Sequence, residues 1–467
     1  MVLNFSLDPG SEIDGFRILG QIGEGGMATI HRVSKEGIDL PLIMKAPKPA
    51  SGSPPGAYVG FEVEQMVLAV LSGPHVPKFI AKGNLETTPY IVMEQIEGAS
   101  LQDYLGQAMT VPEIARRVSA LATAVHDLHR QNVIHLDIKP ANVRYRASGE
   151  AVLIDFGRAR HSSLPDFLET IFDVPAGSAA YISPEQVMKA RFDPRSDLFA
   201  IGVILYQLST GQLPFGAPST KRGYRRRRYR DPIPPRCIKP DLPAWLQEIT
   251  LHCLEARSID RYLTAAQVAY DLNNPQQVTI TERGTRLKRA GFLTVARRWL
   301  NGLRQEAAAC PPPAAHISAA QLILVALDTK NIDVALYQAV RDAVRRVVMG
   351  YPQSRITCVT VSALSMLADG SKQDRDAANN QYTQCLVELR RWASPLALSG
   401  ERVRFLVLDS TDPVDALVEY AKLNHVDHII MGARGRSAMR WLLGNVAYKV
   451  TTQAPCSVTV VRVPRVR

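Results

Sequence analysis

Asp137, Lys139 and Asn142 stand close together in His135-Leu136-Asp137-Ile138-Lys139-Pro140-Ala141-Asn142. An aspartate there can accept a proton from an attacking hydroxyl. The lysine can neutralise charge on a transferred phosphoryl group, and the asparagine offers an oxygen to a metal ion. Asp155-Phe156-Gly157 follows, with Asp155 placed directly after the apolar run Ala151-Val-Leu-Ile as a second metal ligand. Upstream, Lys45 ends the run Leu40-Pro-Leu-Ile-Met-Lys; a buried lysine needs an anionic partner, which Glu64 on the next helical segment can supply. Gly23-Glu-Gly25-Gly26-Met27-Ala28-Thr29-Ile30 lies between two strand patterns. Its glycines allow backbone amides to approach phosphate, although a plain hairpin turn reads equally well for these residues alone.

These groups need a scaffold. The glycine string sits in strand-like material, with further short strands expected at Leu40–Ala46, Lys78–Lys82 and Tyr90–Met93. Phe61 to Leu71 carries apolar residues at helical spacing. From Pro112 to about Leu272 helical patterns dominate, so a sheet-rich lobe precedes a helix-rich one.

The order and spacing of these motifs closely resemble the eukaryotic-like serine/threonine protein kinases of bacteria, over about residues 14–272. The resemblance implies an α+β bilobal kinase fold, ATP and Mg²⁺ as cofactors, and serine or threonine hydroxyls as acceptors, the last from Lys139. It implies ATP contacts from Ile22, Gly23, Glu24, Gly25, Gly26, Met27, Ile30 and Lys45, with adenine held by the backbone of Glu94 and Ile96 beside Met93. Asp137, Lys139, Lys45 and Glu64 would form the catalytic set, and Asn142 and Asp155 would hold the metal. Ser178 would help position substrate, Asp197 would open the core helix, and Arg261 would pair with Glu185.

Three positions depart from the family pattern. Ala28 replaces the third glycine, Ile43 replaces a small residue and should crowd the adenine pocket, and Leu136 replaces the arginine before the catalytic aspartate. That arginine ordinarily pairs with a phosphorylated loop residue, so activity should depend little on loop phosphorylation, although Ser162, Ser163 and Thr170 remain candidate autophosphorylation sites. The same departures motivate a different reading: a weakly active or inactive kinase fold acting as a nucleotide-dependent scaffold in signal transduction.

Residues 273–315 read as a basic, Pro-rich linker ending in three consecutive prolines after Cys310, with a helix around Phe292–Leu303. Beyond it, in 316–467, apolar strand runs at Leu322–Leu327, Ile356–Val361, Val403–Leu408, His428–Met431 and Ser457–Val463 alternate with helices, which implies an α/β doubly wound parallel sheet. This region resembles the universal stress protein family. Leu322–Asp328 looks like its first strand, and Gly432-Ala-Arg-Gly435, followed by Gly444 and Asn445, like its phosphate loop. Nucleotide binding by Asp328, Gly432, Gly435, Gly444 and Asn445 would follow, but the last glycine interval is one residue short and Asn445 replaces a hydroxyl residue. Dimerisation through Ser457–Val463 is the other role that the resemblance implies.

The chain has 467 residues, 46% hydrophobic and 21% charged, which excludes a mainly disordered or collagenous protein. Its net charge of +11 is local: Lys221–Arg230 (KRGYRRRRYR) carries seven basic residues, and Arg283–Arg304 seven more, leaving about −3 elsewhere. That distribution does not point to nucleic acid as the main partner. The first stretch reads as a solvated loop or helix face, or as a docking surface for an acidic partner. Six scattered cysteines, no signal peptide and no apolar run of membrane-spanning length together suggest a cytoplasmic protein.

Overall fold

The computed structural model describes residues 7–24, 28–48, 55–85, 87–168, 178–289, 291, 295, 310–364, 372–400, 402–433 and 445–463. The chain divides into two compact units. Met1–Asn273 associates with Ile280–His316, and Asn274–Thr279 with Ile317–Arg467. The interval read as a linker is thus shared between them. Pro313 opens a short helix, Pro313–Ala319, where the missing amide of a first-turn proline costs nothing. The helix expected around Phe292–Leu303 lies almost wholly outside the described residues.

The first unit begins with a six-stranded antiparallel sheet: β1 (Glu12–Ile13), β2 (Phe16–Glu24), β3 (Ala28–Ser34), β4 (Leu42–Pro47), β5 (Phe79–Lys82) and β6 (Ile91–Glu94), in the order β1-β2-β3-β4-β6-β5. Asp14 and Gly15 both adopt positive φ (48° and 79°) in the two-residue turn joining Ile13 to Phe16. Along β2, buried Phe16 and Ile18 alternate with exposed Arg17 and Leu19, so one face packs with Val33, Met44 and Val92. Helix α1 (Pro55–Leu68) buries Phe61, Val63, Glu64, Val67 and Leu68. Gly60 of this helix is packed so closely that an added Cβ would lie 3.1 Å from the Gly157 carbonyl oxygen.

The larger lobe is built on α2 (Val111–Arg130), capped by the Thr110 hydroxyl, and on the core helix α4 (Arg195–Thr210). Between them run the short strands β7 (Val133–Ile134), β8 (Val143–Tyr145), β9 (Ala151–Leu153) and β10 (Arg160–His161), then helix α3 (Pro184–Val187). Fourteen residues of α4 are buried and Gly211 ends it in the left-handed conformation. Gly202 lets α4 approach α7 (Ala244–Cys253): a Cβ there would meet Cys253 Cβ at 2.7 Å. Between α4 and α7 lie α5 (Lys221–Arg225), a 3₁₀ turn, Arg226–Arg228, and α6 (Pro235–Ile238).

The second unit is a five-stranded parallel sheet of β11 (Leu322–Ala326), β12 (Arg355–Ser362), β13 (Val403–Asp409), β14 (His428–Gly432) and β15 (Ser457–Val461). Its order is β13-β12-β11-β14-β15, with helices Val334–Gly350, Lys372–Ala393, Pro413–Leu423 and Asn445–Gln453 between successive strands. Continuous apolar runs fit strands covered on both faces, and Ile323, Val325, Val340, Val344, Cys358, Leu389, Trp392 and Ile430 share one core.

Candidate active site

Asp197, at the start of α4, organises the catalytic loop. Its two oxygens accept the backbone amides of His135 and Leu136, each at 2.9 Å, and His129 Nε2 also lies 2.9 Å from Oδ2. Leu136 is held at φ 62°, a conformation that branched side chains avoid, and its carbonyl accepts Gln186 Nε2 at 2.9 Å. This support fixes the segment from which Asp137 projects.

Asp137 is buried. Its Oδ2 lies 3.2 Å from Lys139 Nζ, and Asn142 Nδ2 donates to its carbonyl at 3.0 Å. Ser178 reaches the same carboxylate through its amide, which donates to Oδ1 at 2.8 Å. Asn142 thus commits its side-chain nitrogen to Asp137, and its side-chain oxygen is the atom that could serve a metal.

On the opposite wall, Lys45 Nζ lies 2.5 Å from Glu64 Oε2 and 3.2 Å from Asp155 Oδ1. Burial disfavours the Lys45 ammonium, but the two carboxylates outweigh it and raise its pKa. Lys45 in turn holds the Asp155 carboxyl below its ordinary value. Asp155 itself sits at φ 67°. An anionic carboxylate and an amide oxygen are hard donors of the kind that hold Mg²⁺.

Ile22, Gly23, Ile30, Ile43, Lys45, Glu64, Met93, Glu94, Ile96, Asp137, Lys139, Asn142 and Asp155 all line one cleft of about 700 Å³. Ile43 lines it opposite Met93 on the neighbouring strand. The Glu94 amide donates to Lys78 and that of Gln95 to Pro41, whereas the Ile96 amide has no partner among the described residues. Glu94 is also bound through its carboxylate by Arg146, which keeps its pKa low. Glu24 pairs with Lys48 at 2.6 Å. Gly25, Gly26 and Met27 lie outside the described residues.

The Pro-Glu segment is locked by Arg261, whose guanidinium makes a bidentate pair with Glu185 at 2.7 and 2.8 Å. Some partnerships were invisible in the sequence. Asp166 is gripped by Arg191 Nε at 2.8 Å, with Arg160 Nε at 3.6 Å. Arg227, read as one of a solvated run, is instead 1% exposed and bonded to backbone. Nothing in a string of four arginines distinguishes the one that folds inward.

In the second unit, Asp328 and Gly432 line a cavity of about 460 Å³ at the carboxyl ends of β11 and β14, with Thr360, Leu336 and Leu417. Asp328 Oδ1 accepts the amides of Lys330 and Asn331 at 3.1 and 3.2 Å. Asn445 opens the last helix; Gly435 and Gly444 lie outside the described residues.

A sheet-rich lobe and a helical lobe enclosing a cleft with a lysine–glutamate pair and a buried aspartate define the protein kinase class. The protein kinase domain model matches residues 16–270, over half of the chain, and the chain belongs to that family. The universal stress protein family model matches residues 320–462, so the chain also carries such a domain. Serine/threonine-protein kinase PknB of Mycobacterium tuberculosis is 30% identical over 300 residues, covering 62% of this chain and 48% of the relative. PknB of Mycolicibacterium smegmatis is 32% identical over 265 residues, 54% of this chain and 42% of the relative. A probable serine/threonine-protein kinase of Clostridium perfringens is 29% identical over 273 residues, with shares of 57% and 40%. The chain therefore spans less than half the length of these relatives. Among solved structures, the kinase domain of PknI from Mycobacterium tuberculosis matches with 23% identity and a TM-score of 0.45, covering 58% of this chain and 99% of that one.

Proposed function

We propose that this chain transfers the γ-phosphoryl group of ATP to serine or threonine hydroxyls, its own and those of partner proteins, with Mg²⁺ as the metal. Lys45, steadied by Glu64, orients the nucleotide phosphates. Asp137 accepts the proton of the acceptor hydroxyl as its oxygen bonds to phosphorus and the bond to the ADP oxygen breaks. Lys139, beside Asp137, offsets charge on the group in transit. Asn142 and Asp155 would hold Mg²⁺, which when bound neutralises phosphate charge.

The observation that carries this reading is the convergence of both halves of the machinery on one cleft: Lys45 between Glu64 and Asp155, and Asp137 between Lys139 and the Ser178 amide. The test is transfer of label from γ-labelled ATP with Mg²⁺, to the protein and to a generic protein substrate. Label on the wild type and none on Asp137→Asn supports it. ATP binding without label on either protein favours the scaffold reading instead.

For the second unit we infer a nucleotide site in the cavity beside Asp328 and Gly432. Support comes from its place at the carboxyl ends of parallel strands, where strand order reverses about β11. Dimerisation would use β15, which has β14 on one side and no other strand beside it among the described residues; its test is molar mass in solution, with and without a charge placed at Thr459.

A further inference from the structure

Arg227 is buried deep against the segment that leads away from Ser178. Its guanidinium donates to the carbonyls of Ile182 and Ala179, the latter at 2.9 Å. It also lies over the rings of Phe215 and Tyr224, with centroids at 5.6 and 5.9 Å. No carboxylate pairs with it among the described residues, and its Nε has no acceptor. A buried cation without a counter-ion is costly, and desolvation pulls the Arg227 pKa down to about 10.

That anchor determines where the neighbouring charges go. Arg222, Arg225, Arg226 and Arg230 are exposed around it, and none is paired with a carboxylate among the described residues. Like charges crowd here: Arg225 adds to the desolvation that lowers the Arg228 pKa. The backbone that Arg227 grips follows directly on Ser178, whose amide bonds Asp137 at 2.8 Å. Through Arg227 the cluster thus adjoins the backbone beside the point at which a hydroxyl would meet Asp137.

We propose that Arg222, Arg225, Arg226 and Arg230 select protein substrates with aspartate or glutamate flanking the acceptor hydroxyl, and that Arg227 is the positioning residue tying this cluster to segment 179–182. The proposal rests on the kinase reading and deepens it. A peptide fits better than nucleic acid because one face of Tyr224, the side chain that would serve as a platform for bases, already has the Arg227 guanidinium over it.

The experiment uses the full chain and serine peptides of equal length flanked by aspartate and glutamate, by alanine, or by lysine. The wild type should favour the acidic peptide over the alanine peptide by about tenfold in kcat/KM, mostly through KM, and the gap should shrink with added salt. In the Arg225→Glu/Arg226→Glu variant the preference should turn toward the lysine peptide, a gain that a misfolded protein cannot show. Arg227→Leu should lower kcat on all three peptides, with part of it restored by Arg227→Lys. Equal turnover of the three peptides by the wild type, or unchanged ranking in the double variant, overturns the proposal and leaves the kinase reading standing. No turnover of any peptide or protein overturns both. Tighter binding of a single-stranded RNA than of the acidic peptide, lost in the double variant, assigns the cluster to nucleic acid and overturns it as well.

Discussion

Arg191 donates its Nε to the carboxylate of Asp166 at 2.8 Å, and its Nη2 to the carbonyl of Arg158 at 3.0 Å. Arg160 approaches the same carboxylate at 3.6 Å. Two arginines thus meet at one carboxylate on the segment that follows Asp155-Phe156-Gly157. Leu136 occupies the position where a phosphate-binding arginine would stand. If this carboxylate supplies the ordering that a phosphorylated side chain would otherwise provide, two results follow.

Replacing Asp166 by asparagine should lower kcat about tenfold, the equivalent of one charge-assisted hydrogen bond. Changing Ser162, Ser163 and Thr170 together to alanine should leave more than half of the wild-type rate. Steady-state phosphorylation of one protein substrate checks both. Loss of activity in the triple variant would show that loop phosphorylation is required after all.

Gly60 and Gly157 meet backbone to backbone, with a Cβ on either placed 3.1 Å from the other's carbonyl oxygen. Gly60→Val should push α1 outward and separate Glu64 from Lys45. The expected cost is on the order of tenfold to a hundredfold in kcat, with the melting temperature less affected than the rate. Gly60→Ala, with one methyl group, should fall between the two.

The two nucleotide sites proposed above can be tested separately in the full chain. Lys45→Met should remove most kinase turnover, and calorimetry on that variant would still register a nucleotide in the second unit. Adding Asp328→Ala should disturb the turn that holds Lys330 and Asn331 and weaken that remaining heat. If Lys45→Met/Asp328→Ala binds as Lys45→Met does, the cavity beside Gly432 does not use Asp328.

His316 is buried, and its pKa is pushed down to about 4 by desolvation and by the guanidinium of Arg195, with Asp193 opposing and His129 adding to the fall. The folded value lies below that of the unfolded chain, so the unfolded state takes up the proton first. This contribution to stability is therefore complete above about pH 6.5 and is lost as pH falls toward 4, by up to about 1.4 kcal/mol per unit. Between pH 7 and 5, His316→Gln should lose less melting temperature than the wild type; parallel curves would show that His316 does not titrate in this way.

The residues that meet in the candidate site were legible because phosphoryl transfer demands particular side chains in a particular order. Asp137, Lys139, Asn142 and Asp155 sit on short loops whose spacing is set by strands β8 and β9, so their relation is largely local. Lys45 and Glu64 could be paired from sequence because one lies in a half-buried apolar strand and the other on the helix that follows. The parallel sheet of the second unit was equally readable, since strands buried on both faces need continuous apolar runs. What the sequence could not assign were contacts between distant segments made by common residue types: Asp166 with Arg191, Asp197 with two backbone amides, and Arg227 with the carbonyls of Ala179 and Ile182. Charge runs look alike along the chain, and only three-dimensional packing decides which member loses its water. Residue order determined which chemistry this protein carries, and tertiary structure decided which charges hold it in place, because burial and hydrogen-bond geometry depend on neighbours that no local pattern records.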